Sequence, residues 1–589
     1  MKCVHLCVLS FTLLSTGPAL KAEESVLMKA LKDELARTMD QLQLEGMRKP
    51  YYVAYWVHET KSIGIAASLG GVLNRGEGSS NRYLSVEVRV GDYDLDNTNF
   101  FDLSGFESGF GSMRGLPLAD DYKELRRQVW LATDSAYKQA LDQFAKKRAV
   151  LQNRTRVEEV PDFSREEPYR YTDDSPSGRL PDAARVETLV KGLSAVFKGI
   201  AGVFTSNVRA DLRLGTTYFV NSEGSSFTRR SPSVSVHALA GTRAVDGTEL
   251  EDFVAAHGRR WEELPDRTDL AGRIRGMAER LVQLREAEFV DRYNGPVLFE
   301  GQAAAELVNQ VLVPRLVALP TPVTDGPRFL PFGGFGAGPK NPFLDKLGAR
   351  VLPRFLSIVD DPTVETHGQV PLLGGYKVDN EGVPAGETRL VQRGILKTLL
   401  ATRSPVPGVS NSTGNRRSVG PSPSNLFVVP RGGMSRDEMR EELLGLVEER
   451  GLDFGIVVRR LGNPQMTLSR ERRFAFMLPE ESGRSNLEPV TLAFKIFPDG
   501  REELIRKAEL LGISESSFRD IVAASETLTA YHTTFRPPPS FSLSSLLFRG
   551  SGPVSSAVVS LVVPQLLFED LTLKRPSGDV PHLPLIAQP

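Results

Sequence analysis

Apolar positions recur every three or four residues in several long stretches, which is the spacing of one face of an α-helix. These stretches run from Val26 to Leu42, from Tyr122 to Phe144 and from Ile274 to Leu284. A further stretch, from Ser435 to Gly451, begins with the Ser-x-x-Glu spacing of a capping box and ends at a glycine. We predict a helix in each.

Short runs rich in β-branched and aromatic residues separate these helices and are typical of strands. In the first half of the chain they cover residues 51–57, 63–68, 83–90, 206–212, 216–221 and 233–240. Beyond Asn294 they cover 296–299, 354–359, 388–392, 395–401, 425–429, 454–459, 491–497, 556–563 and 566–573. The pattern predicts an α+β protein with an N-terminal helix-on-sheet region, a helical and β middle region and a large β-rich C-terminal domain.

The changes in this pattern also suggest domain boundaries. A chain of 589 residues is long enough for about two to four domains. We predict a signal peptide at 1–22, an N-terminal α+β domain at 23–118, a middle domain at 119–292, a C-terminal domain at 293–575 and a tail at 576–589.

The first residues have the pattern of a secretory signal. Lys2 precedes an apolar run over residues 4–14, and Ala22 is a small residue at which a signal peptidase could cut. The alternative is an N-terminal anchor, but the run is shorter than the roughly 20 residues that span a bilayer. We therefore predict a periplasmic or secreted protein with no membrane span. Both cysteines, Cys3 and Cys7, lie in this segment, so no thiol would remain after cleavage.

Composition and charge exclude several classes of protein. Hydrophobic residues make up 40% and charged residues 25%, as in soluble globular proteins and unlike disordered or multi-spanning ones. Lys and Arg number 72 against 73 Asp and Glu, a net charge of -1. Because no excess of positive charge exists, we expect no nucleic-acid partner.

The common catalytic motifs are absent from the sequence. No pair of His residues has the spacing that directs two imidazoles on one helix face to a zinc ion, and no Gly-x-Ser-x-Gly or Walker A motif occurs. The glycine-rich stretch at 332–338 lacks the Lys-Ser/Thr that would hold phosphate. The histidines are isolated from one another in sequence, which favours ordinary surface or core roles for each.

One ordered series of segments does resemble a known family. It consists of Phe-Leu-Ser-Ile-Val-Asp-Asp-Pro-Thr at 355–363, Asp-Asn-Glu-Gly-Val-Pro at 379–384, Val-Gln-Arg-Gly-Ile-Leu-Lys at 391–397 and Asn-Ser-Thr-Gly-Asn-Arg-Arg at 411–417. Weaker matches are 219–224 and 562–571. The series resembles the TldD/PmbA family, the metallopeptidase-related proteins also known as modulators of DNA gyrase. The resemblance implies a role in proteolysis.

The resemblance also identifies what this chain lacks. Family members with peptidase character carry His-Glu-x-x-x-His on a helix that follows a strand, and a later Cys, as metal-site residues. The best register places Asn309, Gln310 and Pro314 at the positions of the His, Glu and His, and no register places a His there. The chain therefore resembles the PmbA (TldE) side of the family, whose members lack the metal motif and pair with a motif-bearing partner. We expect no catalytic residues and no cofactor.

The leading hypothesis is a non-metal-binding subunit or a peptide-binding scaffold in proteolysis. Its partner would be a motif-bearing TldD-like chain or a second copy of itself. The peptide would lie near the helix at 303–313 and the loop at 411–417. The candidate peptide-binding residues are Glu306, Asn309, Gln310, Asn415 and Arg416.

Several alternatives remain open from the sequence. Asn309 and Gln310 could form an ordinary polar helix face, and Arg416 could lie in a solvated turn rather than bind a carboxylate. An active metallopeptidase could hold zinc in an altered site, with Glu300 or Glu306 and a distant His as ligands. A stand-alone peptide-binding module would need no partner.

Overall fold

A computed structural model describes residues 24–101, 113–152, 160–175, 178–324, 341–417, 420–468, 487–535 and 557–576. The predicted signal peptide, the glycine-rich stretch at 332–338 and all but the first residue of the predicted tail lie outside the described residues.

The described residues form six α-helices. They are α1 (Val26–Gln41), α2 (Tyr122–Gln152), α3 (Ala183–Ser194), α4 (Arg267–Gln283), α5 (Gly301–Leu307) and α6 (Arg436–Glu449). Four of them, α1, α2, α4 and α6, coincide with the helices that the hydrophobic spacing predicts. At the start of α6 the predicted capping box is formed, because Ser435 Oγ accepts from the Glu438 N–H and Glu438 Oε2 accepts from the Ser435 N–H.

Strands make up the larger part of the fold. They are β1 (Pro50–Ser68), β2 (Gly71–Val90), β3 (Phe100–Phe101), β4 (Met113–Gly115), β5 (Arg170–Thr172), β6 (Thr205–Asn221), β7 (Ser226–Arg243), β8 (Glu249–Gly258), β9 (Arg292–Phe299), β10 (Val323–Thr324), β11 (Leu356–Asp360), β12 (Thr366–His367), β13 (Val370–Pro371), β14 (Thr388–Gln392), β15 (Ile395–Leu396), β16 (Asn425–Pro430), β17 (Gly455–Leu461), β18 (Val490–Ile496), β19 (Glu502–Ile505), β20 (Glu509–Leu511), β21 (Ile521–Phe535) and β22 (Ala557–Lys574). The predicted α+β fold class is confirmed.

The first sheet has the order β4-β2-β1-β6-β7-β5, and β8 pairs with a later stretch of β7 on the same edge as β5. It joins strands from the two segments predicted as separate domains at 23–118 and 119–292, because β1 pairs with β6 along most of its length. Odd-numbered side chains of β1, such as Val53 and Ile65, pack against the four helices α1 to α4. Even-numbered ones, such as Tyr52 and Trp56, form an aromatic cluster with Val378 of the C-terminal region.

The second sheet has eleven strands, in the order β15-β14-β11-β16-β22-β9-β17-β18-β19, with β20 and β21 also paired to β22. Side chains of β9 alternate between its two faces. Val297 and Phe299 belong to the large core that contains α5, whereas Leu298 packs with Met439 and Leu443 of α6. Helices α5 and α6 therefore cover opposite faces of this sheet.

Polar contacts join the two sheets where the aromatic cluster meets the C-terminal region. The indole N–H of Trp56 donates to the carbonyl of Asn380 over 2.5 Å, and Arg229 donates to the Asn380 side chain. In the part of the chain that the structure describes, no helix is both long and apolar enough to cross a bilayer.

Candidate functional site

Helix α5 directly follows strand β9 and, together with the turn that continues it, carries the first three candidate residues. After Leu307 the α-helical hydrogen bonding widens into one π turn over Val308–Leu312, and a 3₁₀ turn over Val313–Arg315 contains Pro314. Such π turns are rare and recur at functional sites. Here the widened turn contains Asn309 and Gln310.

Glu306 is the buried carboxylate of this region, with no exposed surface. It accepts hydrogen bonds from Gln310 Nε2 at 2.8 Å, from Asn463 Nδ2 at 2.6 Å and from Tyr531 Oη at 2.8 Å. Burial raises the pKa of Glu306 above its usual range, although these bonds act in the opposite direction. Both carboxylate oxygens are thus engaged by neutral donors from three separate segments.

The two carboxamides of the π turn differ in their contacts. Gln310 Nε2 also donates to the Gly462 carbonyl at 2.9 Å, and its Oε1 accepts from the Glu488 N–H at 2.9 Å. Gln310 therefore fixes the chain on both sides of the segment 469–486. Asn309 is also buried, and its Oδ1 has no hydrogen-bond partner among the described residues.

These residues do not fit a catalytic zinc ion. Zinc takes imidazole, thiolate or carboxylate ligands, about three from the protein in a catalytic site, whereas the motif positions hold Asn309, Gln310 and Pro314. Glu306 is surrounded by donors, and Glu300 Oε2 accepts from Arg459 Nε at 3.1 Å. Within the described ranges, no three His, Cys, Asp or Glu side chains are grouped so that they could hold a metal ion.

Beside Glu306 lies a cavity of about 120 Å³. It lies between strand β8 of the first sheet and strand β21 of the second. Both are edge strands among those described, because β8 pairs only with β7 and β21 pairs only with β22. The lining residues are Ser233, Val234, Ser235, His237, Phe253, Ala255, His257, Gly258, Leu373, Asn463, Gln465, Met466, Tyr531, His532, Thr533, Thr534 and Val558. Asn463 and Tyr531 thus contact both the cavity and Glu306.

Three histidines that are isolated in sequence line this cavity together. His237 on β7 and His257 on β8 have ring centroids 5.1 Å apart, and His532 extends from β21. Burial lowers the pKa of His237 to about 4, of His257 to about 3 and of His532 to about 4. All three imidazoles are therefore uncharged near neutral pH.

Sequence reasoning missed this group for a physical reason. Ser235 pairs with His257 and His237 pairs with Ala255, so strand register brings the first two imidazoles together. The third comes from the other sheet, about 275 residues further along the chain by sequence position. No local spacing connects them, and only His237 lies in a run that the sequence predicts as a strand.

The remaining two candidates, Asn415 and Arg416, lie in a second polar cluster between the sheets. Asn415 is buried and donates to Asp360 Oδ2 at 2.9 Å. Arg416 Nη1 is 2.7 Å from Glu381 Oε1 and 3.7 Å from Glu87 Oε2 of β2. Among the described contacts, no hydrogen bond or ion pair joins this cluster to Glu306, so the predicted residues fall into two groups.

The C-terminal sheet and the helix on it place the protein in a metallopeptidase-related class. Residues 292–480 match the PmbA/TldA metallopeptidase C-terminal domain, a segment that includes α5 and, from the second polar cluster, Asp360, Glu381, Asn415 and Arg416. This match covers about a third of the chain and supports the TldD/PmbA family, which the ordered segments in the sequence also resemble.

Two curated relatives share sequence with part of the chain. A metalloprotease of Methanocaldococcus jannaschii is 37% identical over 106 residues, which are 17% of this chain and 22% of that protein. A metalloprotease of Methanothermobacter thermautotrophicus is 36% identical over 112 residues, 18% of this chain and 23% of the relative. The chain therefore spans less than a quarter of the length of either relative.

Solved structures resemble nearly the whole chain. A protein of Thermotoga maritima described as a modulator of a DNA gyrase has a TM-score of 0.56 and 14% identity, over 92% of this chain and 99% of that one. TldE from Thermococcus kodakarensis has a TM-score of 0.53 and 14% identity, over 94% and 100%. A protein of Bacteroides thetaiotaomicron with the same kind of description, a modulator of DNA gyrase, has a TM-score of 0.52 and 12% identity, over 93% of this chain and 98% of that one. At these identities the likeness shows a shared fold.

Proposed function

We propose that this chain is an exported, non-metal-binding member of its family that holds extended peptides for cleavage by a motif-bearing partner. The main support is the cavity between two edge strands. It lies beside the helix on which the carboxamides of Asn309 and Gln310 occupy the positions of the family's first His and Glu. Amides and neutral donors can hydrogen-bond a peptide, but they cannot generate a metal hydroxide.

The edge of β8 supports peptide binding by strand addition. The Phe253 N–H donates to Oδ1 of the preceding residue, Asp252, and the Phe253 carbonyl accepts from Arg460 Nη2. The backbone N–H and C=O of Phe253 therefore both point away from β7. Alternate residues of a strand present their backbone groups on the same side. Ala255 and His257 therefore also direct N–H and C=O groups away from β7, and both residues line the cavity. An extended peptide could pair with them.

The contacts of Glu306 and Gln310 support the absence of a metal-dependent activity in this chain alone. The buried carboxylate already accepts four hydrogen bonds, the fourth from Thr533 Oγ1 at 3.4 Å, and Gln310 is fixed at both ends of its amide. Binding an ion there would leave the Asn463 and Tyr531 donors without their acceptor. Proteolysis would then require a second polypeptide, either a TldD-like chain with the motif or another copy.

Metal analysis of the purified protein tests the first part of the proposal. Protein prepared without chelators should contain substoichiometric zinc, and EDTA should leave its melting temperature unchanged. Stoichiometric zinc that is lost in both Glu300→Gln and Glu306→Gln variants, together with unaided peptide cleavage, would support the altered-site peptidase and contradict the proposal.

A proline substitution on β8 tests peptide binding. Ala255→Pro removes an N–H that points away from β7 and should leave the β7 pairing intact, whereas Ala255→Val keeps that N–H. In hydrogen-exchange mass spectrometry, added extended peptides should slow exchange over residues 253–258 and 531–534 in the wild type and in Ala255→Val. Peptide protection that persists in Ala255→Pro would rule out strand addition at this edge.

Reconstitution tests the partner. Adding the protein to a motif-bearing family member should form a complex and change the rate of peptide cleavage, and Ala255→Pro should reduce that change. For export, expression with the native first 22 residues in a bacterial host should give periplasmic protein that begins at Glu23. Uncleaved cytoplasmic protein would contradict the export proposal.

A further inference from the structure

The cavity beside Glu306 contains no formal charge. None of the described residues that line it is Asp, Glu, Lys or Arg, and its three imidazoles are neutral near pH 7. A charged ligand would lose its hydration there without gaining an opposite charge, which is strongly unfavourable. The cavity therefore selects an uncharged group.

Its size and apolar walls suit one aromatic ring. The volume is about 120 Å³, and an apolar cavity of about 150 Å³ in another protein binds benzene. Val234, Phe253 and Met466 supply apolar wall surface. Gln465 is exposed, so the cavity reaches the solvent at that residue.

Polar atoms at the cavity add a second requirement. His237 lines the cavity, and its Nε2 is buried in the cavity wall with no hydrogen-bond partner among the described residues. A rotation of the imidazole would bring this atom to a ligand hydroxyl, and an unpaired buried group gains from such a partner. His532 is held in one orientation, because its Nδ1 lies 3.0 Å from Ser560 Oγ. That oxygen already accepts from the Leu373 N–H at 2.8 Å and from the Gly374 N–H at 3.3 Å. Both lone pairs are therefore used, so the hydroxyl donates to Nδ1 and the ring proton of His532 lies on Nε2.

We propose that this cavity is a specificity pocket for a phenol group, and that it receives the tyrosine side chain of a bound peptide. The second clause rests on the proposed peptide-holding function. A phenylalanine ring would fit but would leave His237 Nε2 unpaired, and tryptophan is a larger ring system. Acidic and basic side chains are disfavoured because none of the described lining residues offers a counter-charge.

Small-molecule binding tests the pocket without a peptide. Isothermal titration of the full exported chain with p-cresol should show one site. Toluene, which lacks the hydroxyl, should bind about tenfold more weakly, and p-toluate should show no binding. Equal affinity for cresol and toluene, tighter binding of p-toluate, or no binding of cresol would overturn the proposal.

Variants identify the polar atom. His237→Phe retains a ring of similar size and should weaken cresol binding about tenfold while leaving toluene binding unchanged. Ser235→Phe should fill the cavity and abolish binding of both. His58→Gln is the matched control, since His58 is a partly buried imidazole bonded to Thr217 outside the cavity. Melting temperatures identify variants that fail to fold, and cresol binding unaffected by His237→Phe would overturn the assignment.

Peptide titration separates this proposal from the proposed function. N-acetylated peptides with a central Tyr should bind about tenfold more tightly than the same peptides with Phe, and His237→Phe should remove the difference. If cresol binds but no peptide does, the pocket takes a free phenol and the peptide-holding function fails. If peptides protect the β8 edge with no preference for Tyr, the function stands and the pocket assignment fails.

Discussion

The phenol of Tyr531 donates a hydrogen bond to Glu306 Oε1 over 2.8 Å, and this bond joins strand β21 to helix α5. Burial and the neighbouring Glu306 raise the pKa of Tyr531 well above its usual range, so the phenol stays protonated and remains a donor. Because Tyr531 also lines the cavity, Glu306 holds part of the cavity wall in place. Its role is therefore one of positioning.

Replacing Glu306 tests that role. Glu306→Ala leaves the buried donors of Gln310, Asn463 and Tyr531 without their acceptor, and we expect a loss of about 2 to 4 kcal/mol in the free energy of unfolding. Glu306→Gln keeps an amide oxygen for two of these donors and should lose less. Urea denaturation at pH 7 measures both. Equal losses for Ala and Gln would show that the hydrogen bonds do not hold the site.

The three cavity histidines should make the protein sensitive to acid. Their folded pKa values, about 3 to 4, lie below the ordinary value of 6.5, so the unfolded chain binds these protons first. Stability is therefore fully present above about pH 6.5 and falls as the pH drops toward 4, by up to about 1.4 kcal/mol per pH unit for each imidazole.

Substitution of one histidine checks this slope. Between pH 6.5 and 4.5, the free energy of unfolding should fall less in His237→Phe than in the wild type. The difference should be about one third of the loss that the three histidines together cause. Ser235→Ala, at the same cavity, should leave the slope unchanged. A slope that is the same in His237→Phe and wild type would mean that His237 does not resist protonation in the folded state.

Asp360 should have the opposite pH dependence. Burial raises its pKa to about 6, although Ser424 and Asn415 donate to it. Because the folded pKa is above the unfolded one, the stabilising contribution is complete below about pH 4 and is lost as the pH rises through 6.

Asp360→Asn isolates this effect. The variant should lose a fixed amount of stability from its changed hydrogen bonds, but relative to wild type it should gain up to about 3 kcal/mol as the pH rises from 4 to 7. Chemical denaturation at several pH values gives the difference. Parallel curves for Asp360→Asn and wild type would contradict the raised pKa.

Arg416 should stabilise the contact between the sheets. Its guanidinium pairs with the buried Glu381 and lies near Glu87, so Arg416→Met leaves the buried Glu381 carboxylate without its cation, whereas Glu87 keeps its ion pair with Arg89. We expect a loss of about 3 to 5 kcal/mol in the free energy of unfolding. The double variant Arg416→Met with Glu381→Gln should recover part of it. A loss below about 1 kcal/mol in the single variant would assign Arg416 to the solvated turn.

The sequence predicted helices well, because the conformation of a helix depends mainly on residues within the same segment. The Ser435 and Glu438 pair forms the capping box at the start of α6, and the stripe from Val26 becomes α1. Strand lengths were less accurate, because pairing partners set them. Residues 51–57 and 63–68 both belong to the single strand β1, which stays paired with β2 across several β-bulges. The predicted strand 395–401 is shorter in the structure, where only the two residues of β15 are paired.

The candidate site was predicted in part. The helix that carries Glu306, Asn309 and Gln310 is present, and these residues meet in one buried cluster. Asn415 and Arg416 lie in a different cluster, because the loop at 411–417 packs where the two sheets touch. The histidine-lined cavity could not be predicted, since it depends on which strands of the two sheets face each other.

The sequence alone determined the family, the fold class, most helices and the loss of metal ligands at the motif positions, because each depends on residue identity and short-range spacing. Only the tertiary structure decided that Glu306 is engaged by donors from distant segments and that His237, His257 and His532 share one cavity. Such contacts come from strand register and from the packing of one sheet against another, which join residues hundreds of positions apart and leave no local pattern in the chain.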